Sequence, residues 1–273
     1  MRRSNRLIAI TNYFISNPRQ LVPLTNFTEE YSASKSSISE DLDIVDEMFR
    51  HEGIGYLDRV SGAAGGAMYV PYYSKEKSAS FIQDLCKQLE DPSRMLPGGY
   101  LYMSDVLGNP DLMRKIGHIF ATAFSHLDID VIVTVATKGI SLANAIAFHL
   151  NVPVVTVRRD PKVTEGSSVS INYVSGSSRK IQTMVLPKRS LKEGANVCII
   201  DDFMKAGGTI TGVKSLMDEF HAQVQAIGVL AEAEDEEDER VVTDYMSLVQ
   251  ITHVNSSKQI IEVGAGNILD QWK

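Results

Sequence analysis

The sequence predicts an α/β protein in two parts, and three observations carry that expectation. Over the first seventy-odd residues apolar side chains recur at helical spacing and lead into a glycine-tipped hairpin. From about residue 130, short valine- and isoleucine-rich runs alternate with helical segments. The chain has 273 residues, 44% apolar and 22% charged, enough for about two buried cores. That composition excludes a small stapled scaffold, a disordered chain and a collagen-like repeat. No run approaches the roughly 20 apolar residues of a membrane-spanning helix, and Met1-Arg2-Arg3-Ser4-Asn5-Arg6 leads into a polar-interrupted segment, so a soluble, cytoplasmic protein is expected. Cys86 and Cys198 match neither a redox pair nor metal-ligand spacing, which fits a reducing compartment. The six histidines contain no H-E-x-x-H pattern, so no metal site is expected.

In the first part, Leu7, Ile8, Ile10, Phe14 and Ile15 mark a helix that Asn17-Pro18 stops. Pro23-Leu24-Thr25 opens a second helix, with Thr25 as a plausible N-cap, running to about Tyr31, and Ser32-Ala33-Ser34 breaks it. A third helix carries Ile38, Leu42, Val45, Met48 and Phe49 as its stripe, with Ser37-x-x-Glu40 as a capping box. Gly53 to Val60, the turn Ser61 to Gly66, and Ala67 to Pro71 read as a hairpin. Two short helices with a three-residue turn, closed by a hairpin, describe a winged helix-turn-helix spanning 1–73.

Such a unit places its second helix in a DNA major groove. The polar start of that helix, Lys35-Ser36-Ser37-Ile38-Ser39, offers an ammonium, hydroxyls and first-turn amides to phosphates and base edges. Candidate DNA contacts are Lys35, Ser36, Ser37 and Ser39, with Arg2, Arg3 and Arg6 at the N-terminus and Arg59 on the wing. Asp41, Asp43, Asp46 and Glu47, further along, would face away. The net charge of −7 argues against coating nucleic acid by bulk electrostatics, but residues 1–39 are mildly basic. A unit used only for protein contact or dimerisation is the competing reading.

An amphipathic helix from Ser74 to about Met95 connects to the second part, 74–273. Runs at Val131–Val135, Val152–Val157, Val197–Ile200 and Ala226–Leu230 read as strands buried on both faces, with helices at 111–126, 139–150 and 209–221. A mainly parallel sheet follows, with ligands expected at its carboxyl edge. Residues 158–192 carry Arg158, Arg159, Lys162, Arg179, Lys180, Lys188, Arg189 and Lys192 against Asp160 and Glu165, a segment that attracts anions. The acid run Glu232–Glu239 reads as a solvated loop or helix end.

The most informative stretch is Val197 to Thr209. Four apolar residues deliver Asp201 and Asp202 to the end of the sheet, and a turn, Phe203-Met204-Lys205-Ala206, then reaches Gly207-Gly208-Thr209 at a helix start. Glycines let amides converge on a phosphate, Thr209 adds a hydroxyl, and the helix N-terminus adds partial positive charge. Two carboxylates repel a phosphate but suit a neighbouring sugar diol, so the pair and the turn together suggest a ribose 5-phosphate group. Gly207 and Gly212 have Walker spacing, but Val213 stands where lysine belongs.

This segment resembles the phosphoribosyl-pyrophosphate signature of type I phosphoribosyltransferases, and the second part is most similar to their xanthine and adenine members. With Ala33 to Asp41, nearly the whole chain resembles the purine operon repressors of Gram-positive bacteria. The resemblance implies a homodimeric, nucleoid-associated regulator of operator DNA with a type I phosphoribosyltransferase-like domain that takes phosphoribosyl pyrophosphate as a signal, with guanosine tetraphosphate as a competitor. No catalytic residue is implied. Carried over by position, Asp201 and Asp202 hold the ribose hydroxyls and Lys205 to Thr209 the 5-phosphate, with Phe203 and Met204 in the same segment. Ala136-Thr137-Lys138-Gly139 meets the diphosphate, and Arg158 and Lys162 close over it. Residues 166–173 with Gly176-Ser177-Ser178 form a covering flexible loop, and Tyr100 and Tyr102 pack near the ligand. Ala206 replaces a threonine that most enzymes of the family carry. The sequence leaves open whether Mg2+ accompanies the diphosphate. An active purine phosphoribosyltransferase is the alternative, and in the segment expected to recognise its base, 231–273, Glu232–Glu239 and the tail Gly264-Ala265-Gly266-Asn267 offer no stacking aromatic until Trp272.

Overall fold

The computed structural model describes residues 1–62, 65–96, 100–160, 166–174, 181–233, 240–255 and 257–272. Two compact units form, Met1–Ser74 with Phe148–Asn151, and Lys75–Ala147 with Val152–Lys273.

In the first, helices α1 (Arg3–Ser16), α2 (Leu24–Tyr31) and α3 (Lys35–Glu52) pack with strands β1 (Val22–Pro23), β2 (Gly55–Val60) and β3 (Gly66–Pro71). The strands form one antiparallel sheet in the order β1-β3-β2. Ile10, Phe14, Phe27, Ile38, Leu42 and Phe49 fill the core. Ile8, Ile15 and Met48, expected in the apolar stripes, are exposed instead, because the inward arcs are already taken by Ile10 and Phe14 on α1 and by Leu42, Val45 and Phe49 on α3. Helix α2 starts at Leu24 with no side-chain cap, so Thr25 is not its N-cap. Helix α3 begins three residues before the expected capping box: Ser34 is the N-cap, and its hydroxyl accepts the Ser37 amide at 3.2 Å. Lys35-Ser36-Ser37 therefore forms the first turn, with Lys35 and Ser36 exposed.

The acids of α3 do not simply face solvent. Asp41 is fully buried and accepts Arg6 Nε at 2.5 Å and Arg3 Nε at 2.9 Å, fastening α1 to α3. Asp46 accepts the Leu57 amide at 2.6 Å and so ties α3 to the wing. Asp43 pairs with Arg59 at 2.7 Å.

The second unit opens with α4 (Lys75–Leu89), the short strands β4 (Met95–Leu96) and β5 (Tyr100–Leu101), and helices α5 (Ser104–Gly108) and α6 (Pro110–Ala123). Asn109 caps α6 by accepting the amides of Asp111 and Leu112, ahead of Pro110 in the first turn. Then follow β6 (Val131–Val135), α7 (Gly139–Leu150), β7 (Val154–Val157), β8 (Ser168–Val174), β9 (Ile181–Pro187), β10 (Asn196–Met204), α8 (Gly208–Asp218), β11 (Gln223–Ala233), β12 (Met246–Asn255) and β13 (Ile260–Ala265). The main sheet runs β13-β12-β11-β10-β6-β7, parallel throughout except for β13, which is antiparallel to β12. All five residues of β6 are buried, as a strand covered on both faces requires.

Where a flexible loop was expected, β8 and β9 form an antiparallel hairpin. Tyr173 is buried in it, with its ring against α8 at Gly212 and its hydroxyl donating to Gln182 Oε1 at 2.8 Å. That packing, and not a Walker loop, accounts for Gly212. The expected tip Gly176-Ser177-Ser178 lies outside the described residues.

Replacing Asp41 strands two arginine side chains against each other, one of them buried. Asp41→Ala is expected to destabilise the N-terminal unit by about 3–5 kcal/mol. Denaturant unfolding of the full chain followed by circular dichroism checks this; a loss under about 1 kcal/mol, the range of an exposed pair, would remove the buried ion pair from its structural role.

Candidate functional site

At the carboxyl edge of the parallel strands lies a cleft of about 920 Å3. Its floor is the end of β6 and of β10, namely Val135, Asp201, Asp202 and Phe203; Ala136, Thr137 and Lys138 form one lip, and Arg158, Arg159 and Asp160 another. Thr209 lines it from the first turn of α8, and Leu96, Tyr100, Leu101 and Met103 supply an apolar side.

Strand β10 runs on past the apolar Val197–Ile200 to Met204, so the two carboxylates sit within the strand and not beyond it. Asp201 is 8% exposed, and its Oδ1 accepts the Asp202 amide at 3.0 Å. Burial first, and the Asp202 carboxylate second, push the Asp201 carboxyl well above the ordinary carboxylate range. Burial also raises Asp202, opposed chiefly by the Lys138 ammonium. One end of the cleft thus holds an acid pair faced by cations, an arrangement suited to accepting hydroxyl protons from a diol beside an anionic group.

After Met204 the chain turns through Gly207, whose φ of 88° is a left-handed conformation that glycine takes freely, and α8 starts at Gly208. The first-turn amides of α8 have no helical partner of their own and carry the positive end of its dipole toward Thr209 and the cleft. On the opposite lip, α7 starts at Gly139, and the Ala136–Thr137 peptide bond is cis. A Cβ on Gly139 would lie 2.4 Å from Thr134 Oγ1 and 3.5 Å from Asp201 Oδ1, so only glycine lets this lip approach the acid pair.

Of the residues expected at an effector, the cleft gathers Tyr100, Ala136, Thr137, Lys138, Arg158, Asp201, Asp202, Phe203 and Thr209. Gly139, Lys205, Ala206, Gly207 and Gly208 stand in the two flanking turns without lining it. Met204 belongs instead to the apolar core, because alternation along β10 turns its side chain away from the acid pair's neighbour Phe203. Tyr102 is exposed and is not in the lining, and Lys162 lies outside the described residues. Phe203 and Tyr100 face each other with ring centroids 6.3 Å apart. They provide an aromatic surface in the cleft, and none of the described residues of 231–273 lines it. Residues 231–273 instead hold a buried polar cluster in which Glu232 accepts Ser247 Oγ at 2.6 Å, Arg240 Nη1 at 2.6 Å and the Tyr245 hydroxyl at 2.5 Å. Sequence reasoning missed Leu96, Leu101, Met103, Val135, Arg159 and Asp160. The adjacent charges of Arg158-Arg159-Asp160 were a usable signal; the apolar four carried none.

In the N-terminal unit, Lys35 and Ser36 are exposed and Ser37 and Ser39 half-buried along the start of α3. Arg59 reaches from β2 to Ser39, its guanidinium donating to the Ser39 hydroxyl at 3.2 Å and carbonyl at 3.3 Å. Arg2 and Arg3 lie at the exposed start of α1, whereas Arg6 is buried on Asp41 and is committed to packing, away from any DNA surface.

A model of the N-terminal domain of bacterial purine repressors matches residues 2–71, and a model of phosphoribosyl transferase domains matches residues 103–263. The chain is 56% identical over 272 residues to the purine biosynthesis transcriptional repressor PurR of Bacillus subtilis, covering 100% of this chain and 95% of that one. It is 47% identical to a probable purine biosynthesis transcriptional regulator PurR of Streptococcus pneumoniae, covering 100% and 99%, and 42% identical to the purine biosynthesis transcriptional activator PurR of Lactococcus lactis, covering 99% of each. Among solved structures, adenine phosphoribosyltransferase from Thermoanaerobacter pseudethanolicus shares the fold, with a TM-score of 0.53 at 22% identity over 61% of this chain and 98% of that one. A helix-turn-helix with a wing, a strand-end acid pair above a glycine turn, and full-length similarity to these regulators converge: the chain belongs to the family of purine biosynthesis transcriptional regulators, which joins a purine-repressor DNA-binding domain to a phosphoribosyltransferase domain.

Proposed function

We propose that this regulator senses phosphoribosyl pyrophosphate in the cleft and adjusts its grip on operator DNA in response. The observation that carries the reading is the convergence in one cleft of Asp201 and Asp202 with Lys138, Arg158 and the start of α8. The acid pair accepts the two ribose hydroxyls. The α8 turn, Lys205 to Thr209, receives the 5-phosphate. The lip Ala136–Gly139 with Arg158 neutralises the diphosphate. Guanosine tetraphosphate competes there, its purine ring lying on Tyr100 and Phe203 and its phosphates taking the same cations. The protein works in the cytoplasm as a homodimer, setting two α3 helices on related half-sites, and the transferase fold acts as a sensor in place of an enzyme.

Binding of labelled DNA from purine biosynthesis promoters, titrated with phosphoribosyl pyrophosphate with and without Mg2+, tests this. The ligand is expected to change DNA affinity by roughly tenfold or more, a coupling of ordinary size. Asp202→Ala is expected to erase that change while leaving DNA affinity without ligand within about twofold. If Asp202→Ala responds as the parent does, the pocket assignment fails; if the protein releases diphosphate from phosphoribosyl pyrophosphate and a purine base at about 1 s⁻¹ or faster, it is a transferase.

Lys35→Ala is expected to weaken DNA binding roughly fivefold and to lower the salt slope by about one. An unchanged affinity would remove α3 from the DNA surface.

The acid pair also fixes a pH dependence. Because the folded pKa of Asp201 lies above its unfolded value, the folded state holds the proton more tightly, and stability falls as pH rises from about 4 through the folded pKa. Asp201→Asn cannot ionise and escapes that loss. Its melting temperature is expected to exceed the parent's by roughly 2–6 °C at pH 8, with the gap shrinking toward pH 4; scanning calorimetry across that range checks it. A gap independent of pH would overturn the assignment.

A further inference from the structure

Thr134 stands at the end of β6 with no part in the site as described so far. It is fully buried, among Val131, Ile132, Val133 and Val135, and its register partners are Ile200 on β10 and Thr156 on β7. Its Oγ1 has no hydrogen-bond partner among the described residues. A buried hydroxyl left in that condition destabilises a fold by about 1–3 kcal/mol, whereas valine has the same shape and none of that penalty. Folding alone favours a hydrocarbon side chain such as valine here, as at the other four positions of this strand.

The hydroxyl is placed between the two halves of the cleft. The point where a Cβ on Gly139 would stand is 2.4 Å from Thr134 Oγ1 and 3.5 Å from Asp201 Oδ1. Oγ1 therefore lies close under Gly139, the last residue of the lip, and Asp201 Oδ1 is a second neighbour of that same point. A hydroxyl can donate to a carboxylate and accept from an amide at once, which no hydrocarbon side chain does.

We propose that Thr134 is a positioning residue for the anionic sugar ligand: its hydroxyl is the buried strut that joins the diphosphate lip to Asp201 when ligand fills the cleft. Ligand fixes the lip against the diphosphate and Asp201 against the sugar, and Oγ1 stands next to the point where the lip and Asp201 approach each other. This rests on the reading of the cleft given above.

The test compares Thr134→Val and Thr134→Ser in the full chain, by calorimetric titration with phosphoribosyl pyrophosphate and by thermal melting without ligand. Thr134→Val is expected to weaken ligand binding roughly tenfold, the value of one hydrogen bond to a charged group, while its melting temperature stays level or rises. Thr134→Ser keeps the hydroxyl and loses a buried methyl; it is expected to bind within about twofold of the parent at a lower melting temperature. The two properties move in opposite directions only if the hydroxyl serves the ligand. Parent-like binding by Thr134→Val overturns the proposal, as does equal weakening in both variants. If the parent chain itself takes up no ligand, the reading of the cleft fails, which is distinguishable from failure of Thr134 alone.

Discussion

Two carboxylates side by side on a strand that is otherwise hydrocarbon are electrostatically uphill, and the phosphoribosyltransferase-like unit is arranged around holding them there. Strand β10 lies between β6 and β11, with Asp201 in register with Val229 on β11 and its neighbour Ile200 with Thr134 on β6, so Asp201 cannot relax toward water without disturbing that pairing. A central strand of a parallel sheet resists such motion because each backbone amide and carbonyl is already paired. The repulsion is met by a proton that Asp201 holds more tightly than an ordinary carboxylate does, and from outside the strand by Lys138 on one lip. The parallel sheet thus provides rigidity at the one place where a flexible segment would let the charges drift apart and lose their geometry.

The DNA-binding unit solves a related problem by the opposite route. Helix α3 is rich in acids, which by simple counting makes it a poor approach to a polyanion. Its acids are largely consumed within the unit: Asp41 by Arg3 and Arg6, Asp43 by Arg59, and Asp46 by Arg50 and the Leu57 amide. The first turn is left to Lys35 and hydroxyls, with Arg2 nearby in sequence to the same paired arginines. Charge at the level of the sequence therefore understates how well this end suits phosphate, since the arginines and aspartates that dominate the count serve packing.

The signals visible in the sequence were those written in local patterns. The strand Val131–Val135 reads directly from its β-branched run, buried at every position, and α7 from the apolar period that follows, with Leu142, Ala143, Ile146 and Leu150 turned inward. The acid pair and Gly207-Gly208-Thr209 are equally local. What was not legible depended on distant partners. Strand β1 has two residues and exists only because β3 lies alongside it. The exposed positions of β8 and β9 mix Ser170, Asn172 and Thr183 with Val174 and Ile181, so no clean alternation marks them, and their strand character comes from Tyr173 and Met184 packing within the unit's core. Arg6 looked like one more basic residue in an N-terminal cluster, and only the fold reveals Asp41 opposite it. Leu96, Leu101 and Met103 look like any apolar residues until the chain brings them to the cleft.

On the proposed sensing role, the uphill acid pair bears on how the cleft reports to DNA. A ligand shifts a conformational equilibrium only by the difference in its affinity for the two states. A pocket whose own charges repel one another has that difference built in: a ligand carrying both a diol and an anionic tail relieves the acid pair and neutralises the facing cations in a single event, while orthophosphate meets the cations alone and a neutral sugar meets the acids alone. Neither fragment can recover the coupling of the whole, because each leaves one set of charges without its counterpart. On the proposed reading, discrimination of the intact ligand from orthophosphate and from a neutral sugar then follows from electrostatics.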